Sequence, residues 1–127
     1  MIEALLDSST VLAFIGGEPH QLDEDRVLAA AGISSVNLAE VIGVLLAKGV
    51  PEERIAPAID RLGLKVVPLD GNAAALAGRL IPVARPLGIG LGDCACIASG
   101  MVLRVPIYTG DRDWLKLDVE AQIKLIR

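Results

Sequence analysis

Five short runs rich in apolar residues, Ile2 to Leu6, Ile33 and Ser34, Lys65 to Leu69, Val105 to Tyr108 and Ile123 to Ile126, are separated by stretches with helical spacing. Strands that alternate with helices are joined by right-handed crossovers, which implies a mostly parallel sheet covered on both faces. Lys65 to Leu69 contains Pro68, which donates nothing to a ladder, so this strand is short or lies at an edge. Ile123 to Ile126 closes the other edge.

The intervening segments carry their own start and stop signals. Asp7-Ser8-Ser9-Thr10 is a string of capping side chains, and Gly16-Gly17 ends the short helix that follows. Asp23 opens a second helix running to about Ala31, with Gly32 as its stop. Leu38, Val41, Ile42 and Leu45 follow the three-and-four spacing of a helix over Asn37 to Lys48, ended by Gly49. Pro51 begins the next, where Pro57 predicts a kink or a delayed start. Asp70 caps an alanine-rich helix that fades near Pro86-Leu87-Gly88, and Asp93 opens another through Met101 and Val102. The whole chain, 1–127, reads as one domain.

In a sheet of this kind the ligand site lies beyond the carboxyl ends of the strands. Asp7 and Asp111 follow strands and reach that edge, and Glu40 and Asp93 sit at helix starts that face it. Each acid has a local explanation. Asp7 and Asp93 act as caps, Asn37 to Glu40 has the spacing of a capping box, and Asp111 follows Gly110 in a turn. Capping alone does not require four acids to converge, and carboxylates a few ångströms apart raise one another's pKa. A divalent cation removes that repulsion. Oxygen ligands without a nearby histidine suit Mg²⁺ or Mn²⁺ rather than zinc, which makes phosphodiester hydrolysis the first chemistry to consider.

Composition narrows the partners. With 12 Lys and Arg against 16 Asp and Glu, the formal charge of −4 opposes broad attraction to nucleic acid. An RNA or DNA substrate therefore needs a metal and local basic groups, for which Arg85, Arg104, Arg112 and Lys116 are candidates. Hydrophobic residues make up 53% of the chain, enough that some apolar surface is expected to face a partner. Glu3, Asp7, Glu40 and Arg85 break the apolar runs short of membrane-spanning length, and the start of the chain lacks the basic flank and small-residue cleavage site of a signal peptide, so a cytoplasmic location is expected. Cys94 and Cys96, two apart in a helix, form no redox or zinc motif and read as core residues.

The chain resembles the PIN domain, and within it the VapC-like toxins of toxin-antitoxin pairs. The resemblance rests on Leu6-Asp7-Ser8-Ser9, Ser35-Val36-Asn37-Leu38-Ala39-Glu40-Val41, Leu91-Gly92-Asp93 and Thr109-Gly110-Asp111-Arg112-Asp113-Trp114. It implies a three-layer α/β/α fold with a five-stranded, mainly parallel sheet and a metal-dependent endoribonuclease site. Asp7, Asp93 and Asp111 would hold Mg²⁺ or Mn²⁺, directly or through water. Glu40 would complete the acidic set, Ser9 would bond a carboxylate or phosphate, and Asp113 would play a supporting part. The resemblance also implies a cognate antitoxin and a homodimer. Val11, Leu12, Phe14 and Ile15 lie where family members meet their antitoxin, and about half of them are expected to be core.

Two further readings stand beside the nuclease. A PIN-like protein-binding module would keep the fold without significant hydrolysis. A phosphatase or nucleotide hydrolase on a related sheet lacks support, because no glycine-rich phosphate loop with lysine is present and no Asp-x-Asp follows the first strand. Trp114 is expected to pack under the last loop, and His20 to be solvated.

Overall fold

A computed structural model describes residues 1–127. The strands are β1 (Ala4–Leu6), β2 (Ala31–Ser34), β3 (Lys65–Val67), β4 (Ile107–Thr109) and β5 (Ile123–Leu125). The helices are α1 (Ser8–Gly16), α2 (Glu24–Leu28), α3 (Ser35–Ala47), α4 (Glu52–Asp60), α5 (Gly71–Ala84) and α6 (Leu91–Leu103). Short 3-10 turns cover Arg85–Leu87 and Arg112–Lys116.

The sheet order is β3-β2-β1-β4-β5, and all four pairings are parallel. As expected, the proline-bounded β3 and the late β5 form the edges. Successive side chains of β1 point to opposite faces. Leu5 packs into a layer with Leu80, Ile97, Ile107 and Trp114, contributed largely by α5 and α6. Leu6 packs into the other, with Val11, Phe14, Ile33, Val41 and Ile55 from α1, β2, α3 and α4. Three layers result, and the two short central strands β1 and β4 end side by side.

Local signals were obeyed in most places. Asp7, Asp23 and Asp70 cap α1, α2 and α5, each accepting a backbone N–H three residues on. Val11 and Phe14 are buried, whereas Leu12 and Ile15 are only partly so, which divides the apolar face of α1 as expected. Both cysteines and Trp114 are buried.

The departures have physical causes. The second helix ends at Leu28, and Ala31 and Gly32 belong to β2 rather than to a helix terminus. A Cβ on Gly32 would stand 3.0 Å from both Ile2 Cδ1 and the Lys65 carbonyl oxygen, so this glycine serves close strand packing, not a stop. Pro57 lies inside an unbroken α4. Pro57 and Glu53 are both exposed, and water can satisfy the carbonyl that the proline leaves without a donor. His20 is not solvated: its side chain is 8% exposed, with Nε2 2.8 Å from Glu24 Oε2 and Nδ1 accepting from the Leu22 N–H. Its ring also packs 4.9 Å from that of Phe14, an apolar contact that a histidine in a loop gives no sequence sign of.

Candidate functional site

The carboxyl ends of β1 and β4 position the first two acids. Asp7 follows β1 directly and is 3% exposed. Its Oδ1 accepts from the Thr10 N–H at 3.0 Å and from Ser9 Oγ at 2.7 Å, and its Oδ2 accepts from Thr109 Oγ1 at 2.7 Å. Burial pushes Asp7 above the ordinary carboxylate range, and the bonds from Ser9, Thr10 and Thr109 pull against that rise without cancelling it. The same hydroxyls reach the β4 loop. Ser9 Oγ accepts from the Gly110 N–H at 2.9 Å, and Thr109 Oγ1 accepts from the Asp111 N–H at 3.0 Å. Asp111 in turn caps the following 3-10 turn by accepting from the Asp113 N–H at 2.9 Å.

The other two acids come from helix starts. Asp93 lies in the first turn of α6, which begins at Leu91 with Gly90 as its cap, so Asp93 does not itself open the helix. Its Oδ2 accepts from the Gly90 N–H at 3.4 Å, a long and weak bond. Burial, then the charge of Asp7, raise its pKa to about 6; Glu40 and Asp111 add to the rise against the opposing Gly90 bond. Asp93 thus feels all three other acids at once. That convergence is what local capping does not require.

Glu40 is held by a network that sequence reading missed. Helix α3 starts at Ser35 with Ser34 as its cap, so Asn37 is inside the first turn and the capping-box reading of Asn37 and Glu40 does not hold. Instead Asn37 Nδ2 donates to Glu40 Oε1 at 2.8 Å and to the Gly92 carbonyl at 3.1 Å, with Ser8 Oγ at 3.3 Å. Ser8 Oγ donates to the same Glu40 oxygen at 2.7 Å. One amide therefore ties α3 to the start of α6, and Glu40 between them. A Cβ on Gly92 would collide with the Glu40 carboxyl group, so only glycine leaves room for that acid. The polar identity of Asn37, three residues before Glu40 on an otherwise apolar face, was the one available signal.

Asp113 turns away to pair with Lys116 Nζ at 2.8 Å, both of them substantially exposed. Cys94, directly after Asp93, is buried, and burial raises its thiol pKa. It offers no thiolate to the site.

The donor set fits a hard divalent cation better than any other group. It consists of carboxylate oxygens and hydroxyls with no imidazole or thiolate. Asn37 Oδ1 is buried with no donor, a condition that a water or cation normally relieves. No three acidic, cysteine or histidine side chains are drawn together tightly enough to ligate one ion outright. Mg²⁺ commonly keeps several of its waters between itself and the protein, so it does not require a tight ligand cluster.

The family model of the PIN domain matches residues 4–120. Among solved structures, the chain is similar to DNA-bound VapBC from Salmonella typhimurium, with 20% identity over 100% of both chains and a TM-score of 0.79. It is similar to VapBC2 from Rickettsia felis bound to a promoter DNA fragment, with 16% identity over 98% of each chain and a TM-score of 0.77. VapBC-5 from Mycobacterium tuberculosis, a member of the VapBC family of toxin-antitoxin systems, shares 24% identity over 100% of this chain and 99% of its own, with a TM-score of 0.65. No curated protein matches the sequence. At these identities the structural likeness is one of fold.

Proposed function

Because this chain belongs to the PIN domain family, we propose that it is a Mg²⁺- or Mn²⁺-dependent endoribonuclease and the toxin of a toxin-antitoxin pair. The observation that carries the reading is the position of Asp93, half-buried at the edge where β1 and β4 end and within reach of the charges of Asp7, Glu40 and Asp111. Asp7, Asp93 and Asp111 would hold the cation, in part through water, with Glu40 as the fourth acid. When bound, the cation supplies charge neutralisation at the phosphate and an acidified water as nucleophile.

The chain's own residues do the rest. Ser9 and Thr109 fix both oxygens of Asp7, so its carboxylate cannot rotate away from the β4 loop. Asn37 and Ser8 fix one oxygen of Glu40, leaving the other free to accept a proton or orient a water. Asp113, paired with Lys116, steadies the turn that Asp111 caps. Burial of Asp7 and partial burial of Asp93 and Asp111 limit the screening of their charges by water, whereas Glu40 is exposed.

The likeness to VapBC-5, a member of the VapBC family of toxin-antitoxin systems, supports a cognate antitoxin as partner. Exposed Val83, Val102 and Leu103 on α5 and α6 support a homodimer. No helix is long and apolar enough to cross a membrane.

The protein-binding module remains the second reading, favoured by the occupied oxygens of Asp7 and the spread of the acids. Cleavage of a defined RNA pool with Mn²⁺, and again with EDTA, separates the two. The nuclease predicts cleavage that is lost with EDTA; intact RNA together with no metal binding by calorimetry would establish the module.

Gly92→Ala tests the placement of Glu40. The added methyl displaces the Glu40 carboxyl and breaks its bond to Asn37, so cleavage should fall about tenfold, equivalent to roughly 1.4 kcal/mol in the barrier. Circular dichroism should be unchanged, since alanine favours a helix over glycine by about 1 kcal/mol. Wild-type cleavage in this variant would remove Glu40 from the reaction.

A further inference from the structure

A chain of net charge −4 with four clustered acids repels a polyanion, so its substrate must be met by cations placed close to the cluster. Of the four basic residues singled out in the sequence, two are spent or distant. Lys116 is paired with Asp113, and Arg104 ends α6 at the edge of the sheet opposite to the acids. Arg85 lies in the turn preceding α6. Arg112, like Arg85, is in no salt bridge, but it directly follows Asp111 in the chain. Its Nη2 donates to the main-chain oxygen of Arg127 at 3.1 Å, and no Asp or Glu side chain lies within salt-bridge distance of it.

That bond leads to a residue the sequence gave no reason to choose. Strand β5 pairs with β4 through Thr109 and Leu125, and the Ile126 N–H donates to the Thr109 carbonyl at 3.0 Å. The register delivers Arg127 to the loop that carries Gly110 and Asp111. A Cβ on Gly110 would stand 3.3 Å from Arg127 Nη2 and 3.4 Å from Ser9 Oγ. The guanidinium thus lies over Gly110, beside the hydroxyl that bonds Asp7. It is steadied by Nη1 donating to the Pro19 carbonyl at 3.3 Å and is paired with no acid. Arg127 is anchored through the Pro19 carbonyl and Arg112 through a main-chain oxygen of Arg127, and both keep most of their N–H groups for a ligand.

We propose that Arg127 and Arg112 form a phosphate-binding subsite that holds the RNA backbone next to the scissile position, on the β4–β5 side of the acids. The proposal rests on the nuclease reading for the identity of the strand. Arginine suits the task because its planar fork grips two phosphate oxygens at once, and the backbone anchors limit the freedom lost on binding. A contact to phosphate carries no sequence preference of its own. The subsite would therefore set affinity and register rather than target choice.

The test is binding of a labelled single-stranded RNA oligomer to the full chain carrying Asp93→Asn, with Mg²⁺ present, followed by fluorescence anisotropy across a salt series. Arg127→Gln and Arg112→Gln should each weaken binding about tenfold and make the dependence of log K on log salt shallower by about 0.7. Arg127→Lys should retain the salt slope while losing part of the affinity. Arg104→Gln, at the far edge, should change neither. An unchanged slope in Arg127→Gln, or no RNA binding before any arginine is replaced, overturns the subsite. Weakened binding with an unchanged slope also overturns it, since that is what loss of the Pro19 anchor alone would do. Cleavage by the unsubstituted chain is scored separately. RNA held through Arg127 but never cut would sink the nuclease reading and leave the subsite standing.

Discussion

Replacing Asp93 with Asn should lower RNA cleavage by about 10³-fold or more, a loss of roughly 4 kcal/mol of transition-state stabilisation, while making the metal-free protein more stable at pH 7. The two effects share one cause. In the folded chain Asp93 titrates at about 6 instead of 3.8, because burial and the charges of Asp7, Glu40 and Asp111 disfavour its ionised form. The folded state therefore holds this proton more tightly than the unfolded state does. Stability from Asp93 is intact below about pH 4, declines as pH rises from about 4 to 6, and stays reduced above that. Asparagine cannot ionise and avoids the decline. Melting curves without metal should place Asp93→Asn above wild type at pH 7, with the gap closing near pH 4. Added Mn²⁺ should raise the wild type more than the variant. A variant that melts lower than wild type at pH 7 would mean that the Gly90 bond outweighs the repulsion, and Asp93 would be a cap rather than a ligand.

Asp7→Ala should remove cleavage as well, but with the opposite effect on stability. Three donors, the Thr10 N–H, Ser9 Oγ and Thr109 Oγ1, converge on the Asp7 carboxylate in a nearly closed site. Alanine deletes a helix cap, and it leaves those donors to be satisfied by rearrangement. The expected loss is about 1 to 3 kcal/mol, read as a lower midpoint in urea. Asp7→Asn should recover much of it. Its amide oxygen replaces Oδ1, and Thr109 Oγ1 is able to accept from the new amide nitrogen. Cleavage should remain absent in both. Equal stability of Asp7→Ala and wild type would show that the buried charge costs as much as its three bonds return.

The fold was legible because its signals are local. Capping acids, glycine stops and apolar runs sit at fixed offsets, and the crossover rule converts their alternation into a parallel sheet. Ala31 and Gly32 failed that test because a glycine after a helical stretch has the same look whether it ends the helix or lets two strands and Ile2 approach. The convergence of Asp7, Glu40, Asp93 and Asp111 was also expected, since strand ends and helix starts of this architecture share an edge. What was hidden is every partner chosen by tertiary placement. Asn37 meets Gly92 across 55 positions, Thr109 meets Asp7 across 102, and Arg127 reaches Gly110 only through the β4–β5 register. His20 belongs to the same class, its ring resting against Phe14.

The pairing of β1 with β4 also sets an order of events during synthesis. Leu5 and Leu6 find their partners at Ile107 and Tyr108, and Asp7 finds its hydroxyl at Thr109. Nearly the whole chain must leave the ribosome before these neighbours meet, and closing so large a loop is the slow part of folding such a sheet. A nascent chain that ends before β4 has Asp7, Glu40 and Asp93 in sequence but lacks the strand that brings them to Asp111. The acidic site thus stays unfinished on the ribosome until β4 has emerged.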